Sequence, residues 1–148
     1  MQKLKLFLIG IGFFWIFAWS VFGSILGAKI NLMIATEANL SWLVGVQKSL
    51  LTAAHSHMNN MAITLIIFGL TLNQIRGFIS ERVIKIVCTL NLISIPLFGI
   101  GMLFEAFYPP VAGSLSAFTA IVALGAIFYM ITLAIWSSFF ILAYLKSK

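Results

Sequence analysis

Hydrophobic runs on this chain are long, and the polar residues collect mainly at their ends. Leu6 to Ala28 is almost wholly apolar, and further runs occupy residues 49–72, 86–108 and 116–145. At about 1.5 Å per residue each run is long enough to cross a hydrocarbon core of about 30 Å, so the pattern predicts four transmembrane helices. Pro109 and Pro110 stop the third, and Pro96 is expected to kink it. The segment 29–47 has too many polar interruptions to span. Trp42 and its aliphatic neighbours still seek burial there, which points to an interfacial stretch over the mouth of the bundle. Residues 73–85 read as a basic loop between the second and third spans.

Composition agrees with this pattern. Of 148 residues, 62% are hydrophobic and only 8% charged, with a mean hydropathy of +1.13. A soluble domain of this length cannot cover so much apolar side chain with so few charges, whereas a bundle bathed in lipid has no such need. The expected fold is a single all-α integral membrane domain of four helices covering residues 1–148. Lys3, Lys5 and the small pair Gly27-Ala28 give the first run some likeness to a signal peptide, but it is expected to be kept as a span.

The formal charge of +6 lies at the ends of the apolar runs and forms no patch, so no nucleic-acid partner is expected. With the amino terminus inside, Lys3, Lys5, Arg76, Arg82, Lys85, Lys146 and Lys148 are cytoplasmic, against Lys29 and Lys48 outside. That asymmetry predicts a multi-pass protein of the inner (cytoplasmic) membrane with both termini inside. Ser20, Gly23, Ser24 and Gly27 form a small-residue stripe that lets a second helix approach the first. Cys88 is alone and reads as an apolar filler.

One run breaks the rule that polar groups avoid the spans. Between Thr52 and Thr64 the second helix carries His55, His57, Asn59 and Asn60. Such groups are costly in hydrocarbon unless they meet a partner, a cavity or a cofactor. At 100° per residue His55 shares a face with Thr52 and Asn59, and His57 shares one with Asn60 and Thr64. The two imidazoles are then about 200° apart, too far for one regular helix to aim both at a single metal. Zinc requires three or four donors, and Cys88 and Glu105 are the only others in the spans. Haem requires one imidazole and an apolar slot, so ligand counting favours haem over zinc. The alternative is that both histidines are neutral and hydrogen-bond across helices. Asn91, Ser94, Glu105 and Tyr129 are the remaining polar groups in the spans, and Trp15 and Trp19, one turn apart, are candidates for an aromatic pocket. No nucleophile elbow, phosphate loop or dinucleotide fingerprint is present.

The order Ala54-His55-Ser56 followed by Asn60-Met61, opening the second of four spans, resembles the styrene oxide isomerases and the related hydroxylaminobenzene mutases. The resemblance implies a homotrimer holding b-type haem between subunits, with His55 as the iron ligand. It further implies a Lewis-acid rearrangement of small lipophilic epoxides to aldehydes, with Asn60, or Asn59 on another reading of the spacing, orienting the substrate. The chain departs from that pattern at Met61, where the family has glycine, and at Asn91, roughly where it has aspartate. It has no third-helix tyrosine before Tyr108. Asn91 is then expected as a supporting polar group, and Tyr108, Glu105 or Tyr129 as the acid. Two other readings compete. One is a membrane b-type cytochrome with His57 as a further cofactor-binding residue, and the other is a cofactor-free scaffold or transporter subunit.

Overall fold

A computed structural model describes residues 1–37, 40–109 and 116–147. Lys148 of the charge count, Ala38 and Asn39 of the mixed segment and Pro110 of the helix-stopping pair lie outside the described residues. The described chain is helical, with α1 at Gln2–Ala35, α2 at Leu40–Leu43, α3 at Val46–Ile75, α4 at Glu81–Phe107 and α5 at Ala117–Lys146. Four of these, α1, α3, α4 and α5, are long and apolar enough to cross a membrane.

The boundaries differ from expectation where polar residues continue a helix instead of ending it. Lys29–Ala35 continues α1, because neither glycine nor proline interrupts it and an exposed Asn31 costs a helix little. The helix ends at Thr36, whose hydroxyl donates back to the carbonyl of Leu32 at 2.8 Å, and Glu37 follows with φ 51°. The basic loop is also shorter than its composition implied. α3 runs to Ile75, and α4 begins at Glu81 behind an N-cap, where Ser80 Oγ accepts from the backbone N–H of Val83. α4 continues as helix past Pro96.

α3 is the central element. α1 packs along one side of it and α4 along the other, and α5 lies mainly against α4. The α1–α3 crossing is close at two glycines. A Cβ at Gly12 would lie 2.6 Å from Ile66 Cγ1, and one at Gly69 would lie 2.7 Å from Ile9 Cγ1 and 3.0 Å from the carbonyl oxygen of Lys5. Across the core, Phe68 stacks on Trp136 with ring centroids 4.0 Å apart, among Leu8, Leu65, Leu72, Ile84 and Ile95. The outer face of α1 presents Phe7, Phe13, Phe14 and Phe17, all exposed, as suits lipid and not water. At the other end of α1, Trp42 of α2 packs over Leu26, Leu51 and Ala106. Its indole N–H donates to Gln47 Oε1, and Lys29 Nζ lies 4.3 Å from its ring centroid.

Candidate intramembrane site

Because α3 is regular through residues 52–64, its polar residues separate by helical phase, and each face meets a different neighbour. His55 faces α1. Its Nδ1 lies 2.8 Å from the carbonyl oxygen of Trp19. A carbonyl only accepts, so Nδ1 carries the proton and Nε2 keeps its lone pair. Gly23, one turn beyond Trp19, makes this approach possible. A Cβ there would fall 2.6 Å from His55 Nδ1 and nearer still to Cε1. The small-residue stripe therefore has a specific use at one position. Ser20 and Ser24 are exposed, with the Ser24 hydroxyl donating back to the Ser20 carbonyl, and Gly27 borders open space.

The lone pair of His55 meets only a long contact, Asn59 Nδ2 at 3.5 Å. Two further polar atoms of the same neighbourhood, Trp19 Nε1 and Asn59 Oδ1, are buried with no hydrogen-bond partner among the described residues. An idle acceptor one turn along α3 from His55, and an idle donor on the residue whose carbonyl holds its ring, mark a place where the described residues do not complete their polar chemistry. Nearby on α1, Trp15, Trp19 and Phe22 line a groove of about 220 Å³ with Leu103 of α4.

His57 faces the other way. Its ring meets Phe98 of α4 edge-on, with centroids 5.4 Å apart. With Asn60, Met61, Tyr129 and Met130 it lines a pocket of about 320 Å³ between α3, α4 and α5. His57 and Asn60 are exposed on this face. Tyr129 OH is 2.7 Å from Thr64 Oγ1, and Thr64 donates to the carbonyl oxygen of Asn60 at 3.0 Å. With the single threonine proton engaged there, Tyr129 is the donor to Thr64, and its oxygen retains acceptor capacity beside the pocket.

Asn91 stands behind this pocket and not in it. Fully buried on α4, it donates Nδ2–H to Thr132 Oγ1 at 2.8 Å, and Thr132 donates to the carbonyl oxygen of Tyr129 at 2.8 Å. Its Oδ1 is buried without a partner among the described residues. Asn91 thus fixes the backbone that carries Tyr129. Glu105 is buried at the far end of α4, accepting from Thr119 Oγ1 at 2.6 Å, where it ties α4 to the start of α5. Tyr108 is exposed at the C-cap of α4 with its ring 6.1 Å from Phe118, and it belongs to neither histidine face. Of the candidate acids, Tyr129 alone lines the pocket with His57 and Asn60.

Among the described residues, no three His, Cys, Asp or Glu side chains come together as a metal-binding group. Thr64 shares the His57 face as its helical phase predicts, whereas Thr132, the other polar link of the pocket, has no signal in the sequence beyond its phase three residues after Tyr129, because single threonines are common in apolar helices. No protein-family model matches the chain, and no curated protein or solved structure matches it significantly.

Proposed function

We propose that the chain is a haem-b-dependent isomerase of the inner (cytoplasmic) membrane, with both termini inside, converting small lipophilic epoxides to aldehydes. The observation that carries this reading is the state of His55, whose Nδ1–H is held by the Trp19 carbonyl while Nε2 keeps its lone pair against only a long 3.5 Å contact with the Asn59 amide. Axial histidines are commonly set in this way, the second nitrogen fixing tautomer and ring orientation. The donor set fits haem, which asks for one imidazole, better than zinc, which asks for several. Bound there, ferric haem supplies a Lewis acid for the epoxide oxygen.

The chain's own residues do the rest. The pocket holding His57, Asn60 and Tyr129 is the substrate pocket of this reading. Its walls, Met61, Phe98 and Met130, accept an apolar body that partitions from the bilayer. The Asn60 amide orients the polar end, and Tyr129 stabilises charge as it develops, in surroundings of low dielectric where such contacts are strongest. His55 and Asn60 lie on different faces of α3, so one protomer alone would not bring a group held by His55 to its own pocket, and this reading requires the homotrimer that the family resemblance implies.

The same separation of faces prevents His55 and His57 of one chain from ligating one iron, which weighs against a cytochrome with both axial ligands from one protomer. The test is conversion of styrene oxide by purified protein. Wild type yields the aldehyde, His55→Ala yields none, and Asn60→Leu retains bound haem with kcat/KM lowered about 100-fold. Equal conversion by wild type and His55→Ala sinks the proposal.

A further inference from the structure

α4 carries a second feature that the isomerase reading does not use. Arg82, Lys85, Ile86 and Thr89 line a groove of about 440 Å³ at the start of the helix. Ile93, Pro96, Leu97, Ile100 and Phe104 line another of about 460 Å³ further along. From Arg82 to Phe104 these positions recur at three- and four-residue steps, so both grooves lie on one face of α4, end to end. The first has two cations at its mouth, and the second is almost wholly apolar.

We infer that this face binds one anionic phospholipid, with its phosphate at Arg82 and Lys85 and an acyl chain lying along Ile86 to Leu97. Charge and length both fit. Arg82 has no carboxylate partner among the described residues, while Lys85 is only loosely held by Glu81 at 3.9 Å, both side chains more than half exposed. The pair sits in the first two turns of a membrane-spanning helix, at headgroup depth, and the helix dipole at that end also favours an anion. One leaflet is about 15 Å deep, or about ten residues of helix, which carries a chain from Ile86 to Pro96. Proline at that point lacks the N–H that would bond the carbonyl of Leu92 one turn back, and both residues line the apolar groove. The inference requires only that α4 spans the membrane and is independent of haem.

The test is native mass spectrometry of the delipidated full chain with dioleoyl phosphatidylglycerol, dioleoyl phosphatidylcholine and soluble glycerol phosphate. Phosphatidylglycerol is retained by wild type, and by a charge-preserving Arg82→Lys/Lys85→Arg variant. Arg82→Gln/Lys85→Gln weakens it about 30-fold, the loss expected of two basic contacts at a membrane surface. Ile93→Trp, which fills the apolar groove, weakens it too, and Lys146→Gln has no effect. Equal retention of phosphatidylcholine, equal binding of glycerol phosphate, or retention unchanged in Arg82→Gln/Lys85→Gln overturns the assignment.

Discussion

His55 donates its Nδ1–H to the Trp19 carbonyl across 2.8 Å, and Gly23 leaves the space that the imidazole fills. A side chain at residue 23 and the present position of His55 exclude one another. Gly23→Ala is therefore expected to displace the ring, to lower stability by about 1–3 kcal/mol as overpacking does, and to reduce haem content. Gly27→Ala, bordering open space, should stay within about 0.5 kcal/mol of wild type. Unfolding in graded sodium dodecyl sulfate, followed by circular dichroism with the haem-to-protein ratio measured in parallel, checks both.

Thr64 and Tyr129 join α3 to α5 through a 2.7 Å hydrogen bond beside the pocket. Thr64→Val leaves the phenol without its acceptor and is expected to cost about 1–3 kcal/mol, and Tyr129→Phe somewhat less because it leaves a smaller polar group unpaired. The double variant should cost less than the sum of the two. A double-mutant cycle reads the coupling directly, and strict additivity would mean that the bond contributes nothing.

The Asn91–Thr132 pair is buried throughout, and one amide oxygen of Asn91 is already without a partner. Thr132→Val is expected to destabilise by about 1–3 kcal/mol, because it strands the amide as well. Asn91→Leu with Thr132→Val removes both polar partners and should recover most of that loss. The same unfolding assay decides the order, which is reversed if the amide serves another group.

Orientation has its own check. In a Cys88→Ala background, Ser147→Cys should resist a membrane-impermeant maleimide applied from outside intact cells, and Thr36→Cys should react. The opposite pattern would turn the protein over and place Arg76, Arg82 and Lys85 outside, against their charge bias.

Much of this was legible in the residues, for physical reasons. Four apolar runs name four spans because lipid tolerates little else, and helical phase alone sends His55 and His57 to opposite faces. The extension of α1 to Ala35 was not legible, since Lys29 and Asn31 look like a boundary although neither breaks a helix. Nor did the sequence tell which neighbour each histidine meets. That Gly23 serves His55, and that Tyr129 lines the pocket while Tyr108 and Glu105 do not, depends on how α1 and α5 are placed around α3 and α4. No periodicity along one helix records that placement.

The most direct measurement is an absorbance spectrum of the protein purified from haem-replete cells, wild type beside His55→Ala and His57→Ala. The account predicts a Soret band with high-spin, five-coordinate character in wild type and His57→Ala, and loss of the band in His55→Ala with helical content retained. A pigment that survives His55→Ala, a low-spin bis-histidine spectrum abolished by His57→Ala, or a colourless wild type would contradict it.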